Sequence, residues 1–159
     1  MSIDKKTVIE KERKFLLKKF PTLEPNKRIN ITQYYTDSGI RYRMSSVIGE
    51  VGITCEKIKK IKIGKGVNQE IDVEEIPLSE FNNNRSVNQQ KEISKLRSVY
   101  NLNGKVFEID LFKDLQLLLL EVENVDIDEE IDFPEEIKKL ILLEVTGNEN
   151  FDNYNLSLT

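Results

Sequence analysis

Acidic and basic residues return at every second position along this chain. Glu10 and Glu12 precede Lys14, and Arg41 is followed by Arg43 and Lys57 by Lys59. Further on come Glu70, Asp72 and Glu74, then Lys95 and Arg97, Glu108 and Asp110, and Glu121 and Glu123. Paired carboxylates hold hard divalent cations through oxygen, and Mg²⁺ prefers a few carboxylates completed by phosphate oxygens and water. Lysine and arginine bind the remaining phosphate oxygens, arginine often as a two-pronged fork. A divalent cation together with a polyphosphate accounts for both signs at once.

Residues two apart share a face only on a β-strand. The positions between the charges are apolar in four of these stretches: Ile40, Tyr42 and Met44; Ile71 and Val73; Phe107, Ile109 and Leu111; Leu120 and Val122. An antiparallel sheet with one solvated face produces such alternation. The sorting of the charges favours another arrangement, because acids follow acids and bases follow bases along single strands. That costs repulsion unless opposite charge lies between them. If the sheet closes with these faces inward, acidic and basic strands look at one another across a lumen that calls for a ligand.

Period-two patterning predicts strands near residues 8–17, 29–36, 40–47, 50–60, 68–76, 92–101, 105–113, 116–124 and 142–147. Turn residues separate them, including Pro21 and Pro25, Asp37-Ser38-Gly39, Gly64 and Gly66, and the hairpin signal Asn103-Gly104. One helix is expected after Pro77, with Ser79 as its cap, and a second after Pro134, where Glu135 and Glu136 suit a helix N-terminus. The tail GNENFDNYNLSLT adds a last short helix, and NNNRSVNQQK reads as a loop.

A chain of 159 residues reads as one domain, 1–159. With 28 acidic against 24 basic residues and a formal net charge of -4, it lacks the basic excess of a general nucleic-acid binder. Cys55 is the only cysteine, which excludes an intramolecular disulfide and a cysteine-rich zinc site. There is no histidine, so catalysis must rest on carboxylates, lysines or hard cations. The apolar runs LQLLLLEVE and LILLEV are too short to span a bilayer, and the expectation is a cytoplasmic protein without membrane contact.

The residues resemble the CYTH domain, also called the triphosphate tunnel metalloenzymes. Glu10-Lys11-Glu12-Arg13-Lys14 matches the ExExK signature that opens that family. The order then agrees along nearly the whole chain: Arg41-x-Arg43, a lysine strand at Lys57, acids at Glu70 and Asp72, Lys95-x-Arg97, VFEIDLF, LLLLEVE and finally Glu144-Val145-Thr146. The resemblance implies a mainly β (α+β) fold, a closed eight-stranded antiparallel β-barrel or tunnel with a few short helices. Family members hydrolyse inorganic tripolyphosphate, thiamine triphosphate or RNA 5′-triphosphate ends, or cyclise ATP to cyclic AMP, and their barrels often pair as dimers.

Carried over by position, the resemblance implies Glu10, Glu12, Glu121 and Glu123 as ligands to Mg²⁺ or Mn²⁺. It implies Lys14, Arg41, Arg43, Lys57, Lys95 and Arg97 on the phosphates, with Glu10, Glu12 and Lys14 at the reacting end. Glu70, Asp72, Glu108 and Asp110 would support them, by orienting the bases or by helping a second cation and the attacking water. The expected activity is hydrolysis of a small triphosphate, inorganic tripolyphosphate first. An adenylate cyclase of the class IV type and a nucleotide- or polyphosphate-binding module without turnover are the alternatives.

Three departures from the family pattern stand out. The usual basic residue near the C-terminus is missing, with Asn150 in the run that follows Thr146. Around ITCEK the register is open by one residue between Glu56 and Lys57. Asp72 replaces the more usual glutamate. Other signals read plainly: IGKG as a hairpin turn rather than a phosphate loop, Cys55 as packing, Tyr34-Tyr35 as core or barrel wall, and Glu129, Glu130, Glu135 and Glu136 as solvated surface.

Overall fold

Alternating side chains become a closed sheet in a computed structural model that describes residues 6–88 and 91–159. The strands are β1 (Lys6–Leu17), β2 (Lys27–Tyr35), β3 (Ile40–Val47), β4 (Thr54–Gly64), β5 (Val67–Ile76), β6 (Glu92–Leu102), β7 (Lys105–Phe112), β8 (Leu117–Glu123) and β9 (Ile141–Glu144). Their order is β5-β4-β3-β2-β6-β7-β8-β1, and β1 also pairs with β5, which closes eight antiparallel strands into a barrel. The extra strand β9 continues the β5 side of β1, opposite Phe15 to Leu17. A barrel of eight strands leaves an interior wide enough for side chains and one small ligand.

Local chemistry sets the connections. Asn103 and Gly104 both have positive φ and join paired Leu102 and Lys105, the two-residue turn that matches strand twist. The IGKG stretch is a hairpin turn between β4 and β5. There Gly66, at φ +71, comes so close to β1 that a Cβ would stand 2.8 Å from the Glu12 carbonyl oxygen. The same contact carries a hydrogen bond from Glu12 N to the Gly66 carbonyl, 3.0 Å, at the seam that closes the barrel.

The apolar faces point outward and are covered. Phe15, Phe107, Ile109, Leu120 and Val122 pack beneath Val125, Ile137 and Leu140 of the segment that carries α2 (Glu135–Lys138). Tyr34, Tyr42, Cys55 and Ile76 lie under Phe81 of α1 (Leu78–Arg85). A third group, Ile93, Phe112, Leu119 and Val145, fills one end of the barrel against Leu156 of α3 (Asn153–Leu156). Each fully buried large apolar side chain stabilises by about 1.5–3 kcal/mol, which offsets the cost of an interior lined with charge.

Most predicted elements form, with shifted edges. The loop at 48–53 delays β4 to Thr54, and β9 stops at Glu144 because Thr146 turns its hydroxyl toward Lys14 N, 2.8 Å. Ser79 lies inside α1, whose cap position is Pro77, without a side-chain hydrogen bond. The expected loop at 82–91 begins inside that helix, since residues 82–85 are helical, and its residues 89 and 90 lie outside the described part. Among the described residues no helix is long and apolar enough to cross a membrane.

Candidate functional site

Cross-strand register decides which charges meet inside the barrel. Glu12 stands opposite Glu123 and Lys14 opposite Glu121, and Glu121 is opposite Glu108 on the other side, so β1, β8 and β7 present one acidic wall. Carboxylate oxygens of Glu10, Glu12 and Glu123 all lie within 4.8 Å of one another, and so do those of Glu108, Glu121 and Glu123. Glu123 belongs to both groups. Five carboxylates at this spacing form an oxygen-only donor set that fits a hard divalent cation.

The acids are not equivalent. Burial, reinforced by the Glu121 charge, pushes Glu12 up to about 8. Burial and contacts with Glu108 and Glu12 push Glu123 up as well. Glu121 is also buried, but Lys14 and Arg97 outweigh that cost and hold its carboxyl down. Without a divalent cation the Glu12–Glu123 end of the wall favours protonation, while Glu121 is held toward its charged form.

Facing this wall are arginines and lysines in two states. Arg97 is clamped: its Nε and Nη2 donate to the two oxygens of Asp110 at 2.7 and 2.9 Å, and Nη1 donates to Glu108 at 3.3 Å. Arg41 and Arg43 are freer. The Arg41 Nη2 reaches Glu56 at 3.3 Å and Glu70 at 4.0 Å, but its Nε is buried with no partner. Arg43 donates from Nε to Gln33 at 2.9 Å and has no carboxylate within ion-pair distance among the described residues. Burial and the Arg41 and Arg97 charges pull it down to about 10. Arg43, without a carboxylate partner, and the unpartnered Nε of Arg41 leave donors free for an anion.

A cavity of about 290 Å³ opens between the walls, with Glu12, Lys14, Arg41, Lys60 and Lys62 among its lining side chains. Tyr35, Asp152 and Tyr154 stand around it. The tail closes one end: Lys14 Nζ donates to the Phe151 carbonyl at 3.0 Å, Lys95 Nζ donates to Asn153 Oδ1 at 3.0 Å, and Lys62 lies 3.6 Å from Asp152. A larger hollow of about 610 Å³ lies outside the barrel beside α1. Its one basic residue, Arg85, is already held by Glu92 at 2.6 and 2.9 Å.

The structure brings together Glu10, Glu12, Lys14, Arg41, Arg43, Glu70, Arg97, Glu108, Asp110, Glu121 and Glu123. Lys57 and Asp72 are not among them. Lys57 pairs across from Tyr42 on the outer face and bridges to Glu74 at 3.6 Å and Glu80 at 3.4 Å. Asp72 sits at a break in the β4–β5 register with φ 54, exposed, because the bulge turns it off the inward parity. Lys95 faces inward but stands fully buried behind the wall, 2.8 Å from Asp110 and capped by Asn153. There it sits against Asp110, which in turn binds Arg97.

Two lysines and two polar partners escape the sequence reading. Lys60 and Lys62 occupy the inward positions of β4, opposite Glu70 and Asn68, and Lys60 Nζ lies 2.8 Å from Glu10. The run KIKKIKI carries lysine at both parities, so only the pairing of Arg43 with Glu56 fixes which ones enter. Gln33 is fully buried, donates to the Tyr35 hydroxyl at 2.8 Å and accepts from Arg43, which fixes that guanidinium. Tyr34 is outer core, stacked on Tyr42, whereas Tyr35 faces the lumen.

No family model matches this chain, and no curated protein matches it in sequence. Solved structures do match in fold. The inorganic triphosphatase NE1496 superposes with a TM-score of 0.62 at 23% identity, over 94% of this chain and 95% of that one. A second structure, of the hypothetical protein NE1496, gives a TM-score of 0.63 at 24% identity, over 94% and 98%. A conserved hypothetical protein from Pyrococcus furiosus gives 0.51 at 19% identity, over 82% and 84%. At such identities the likeness is one of fold, and the eight-stranded barrel fits the architecture that the CYTH resemblance implies. This chain thus shares nearly its full-length fold with a protein described as an inorganic triphosphatase.

Proposed function

We propose that this chain is a metal-dependent triphosphatase that hydrolyses a small triphosphate, inorganic tripolyphosphate first, inside the barrel. One observation carries the reading: Glu12 of the five-carboxylate wall and Arg41, whose Nε is buried without a partner, line one cavity of about 290 Å³ together with Lys14, Lys60 and Lys62. That volume is at the small end for ligand sites. It favours a bare phosphate chain over a nucleotide, and so a hydrolase over a cyclase.

In this reading Glu10, Glu12, Glu121 and Glu123, with Glu108 beside them, hold Mg²⁺ or Mn²⁺. Such an ion neutralises phosphate charge and makes a bound water more acidic. Arg41 and Arg43 bind phosphate oxygens, the second oriented by Gln33. Arg97, fixed by Asp110, orients the Glu108 carboxylate through Nη1 and lends positive charge to this end of the wall without having to reorganise. Lys14, 3.7 Å from Glu121, steadies the leaving phosphates. Water adds to the terminal phosphorus, the bridging P–O bond breaks, and orthophosphate and pyrophosphate leave.

Binding without turnover is the second reading. The tail favours it, since Asn150 stands in the run where the family has a basic residue and the Phe151 carbonyl caps Lys14. The test is phosphate release from tripolyphosphate, ATP, thiamine triphosphate and pyrophosphate with Mg²⁺ or Mn²⁺, beside Glu10→Gln and Lys14→Ala. Metal-dependent release from tripolyphosphate that both variants abolish is expected. Tight binding of the triphosphate with no turnover of any compound overturns the hydrolase in favour of the binding module.

A further inference from the structure

Lys60 lies on the acidic wall rather than among the arginines. Its Nζ is 2.8 Å from Glu10 Oε1 and 3.9 Å from Glu12 Oε1, on two of the three carboxylates that gather within 4.8 Å. The contact is ionic rather than directional, since that Glu10 oxygen is buried without a hydrogen bond. One lysine therefore sits on the oxygens that a divalent cation would take.

The same lysine borders the anion side. It lines the cavity with Arg41, and it pairs with Glu70, which lies 4.0 Å from Arg41 Nη2. The Arg41 Nε is buried without a hydrogen-bond partner, so that side keeps a donor for an anion. The charges facing Lys60 are Glu10 and Glu12 of β1, Arg41 of β3, Glu70 of β5 and Glu121 of β8. Two cations cannot share the same carboxylates without strong repulsion. A lysine has a flexible stem and three rotatable donors with which to leave.

We propose that Lys60 is an exchange cation, which holds Glu10 and Glu12 in the metal-free site and moves onto the phosphate chain beside Arg41 when a divalent cation replaces it. This rests on the triphosphatase reading of the same lumen. It adds a coupling: metal binding releases an ammonium for the anion, and by linkage the anion strengthens metal binding by the same factor. Lys60 then completes the phosphate grip only when the metal is in place.

The test is Mn²⁺ affinity at pH 8, read by electron paramagnetic resonance on the full chain without any polyphosphate. Lys60→Met and Lys60→Arg are compared with the wild type, and circular dichroism melts check folding. Lys60→Met is expected to bind Mn²⁺ at least about tenfold more tightly, because its competitor is gone. Lys60→Arg keeps the charge and stays near wild type. A non-hydrolysable imido analogue of tripolyphosphate then tightens Mn²⁺ binding more in the wild type than in Lys60→Met. If the wild type binds Mn²⁺ and Lys60→Met binds it no more tightly, or Lys60→Arg gains as much as Lys60→Met, the exchange is overturned and the triphosphatase reading stands. If the wild type binds neither Mn²⁺ nor the analogue, both fall.

Discussion

Asp110→Asn separates structural charge from working charge. Asp110 is fully buried, accepts two hydrogen bonds from Arg97 at 2.7 and 2.9 Å, and lies 2.8 Å from the fully buried Lys95. Burial alone would raise its carboxyl, but Arg97 and Lys95 outweigh that and hold it well below the usual carboxylate range. Removing its charge strips Arg97 of its paired carboxylate and leaves Lys95, which burial already pulls down to about 7, without the charge that sustains its ammonium; breaking a buried pair of this kind costs about 3–5 kcal/mol. For a chain of this size each kcal/mol shifts the melting temperature by about 2–4 °C, so a fall of roughly 6–20 °C is expected. Differential scanning calorimetry with and without Mg²⁺ measures it. A loss below about 1 kcal/mol would refute the reasoning, and would mean that Lys95 and Asp110 are solvated and free to bind ligand.

Arg43→Met strands no carboxylate but orphans the buried Gln33 Oε1, so stability falls by about 1–3 kcal/mol while tripolyphosphate binding weakens by about tenfold or more, read by calorimetric titration. Lys57→Ala leaves phosphate release unchanged and costs at most about 1 kcal/mol in urea unfolding, because its bridges to Glu74 and Glu80 are on the partly exposed outer face. In metal-free buffer, stability falls as pH rises from about 4.5 to about 8, because folded Glu12 keeps a proton that the unfolded chain has lost. Asp110 and Glu121 act in the other sense, losing their contribution as pH falls toward their depressed values. Saturating Mg²⁺ flattens the alkaline loss, and melts across pH with and without metal check this.

Period-two alternation carried most of the barrel, because strands with one charged and one apolar face have few ways to bury the apolar side. It also indicated the acidic wall, since ExE on β1 and on β8 needs only parity. The β4 strand is where parity failed. Lysines at 57, 59, 60 and 62 offer both faces, and the register is set by the loop before β4 and its pairing with Arg43, neither visible from spacing. Asp72 was lost for a related reason, since a single left-handed residue flips the face of everything beyond it. Lys95 had the right parity but the wrong depth. The tail reads as helix in the sequence, but its position over Lys14 and Lys95 depends on long-range packing of Leu156 against Ile93, Phe112 and Leu119.

The central claim is that cation and triphosphate meet inside the barrel. A crystal structure with Mn²⁺ and the imido analogue of tripolyphosphate, with anomalous scattering recorded for manganese, tests it most directly. The account predicts a manganese peak among Glu10, Glu12 and Glu123 and phosphate oxygens on Arg41 and Arg43, with Lys60 withdrawn from Glu10. Manganese and analogue bound outside the barrel, in the hollow beside α1 or at surface lysines, with the lumen unchanged, would contradict it.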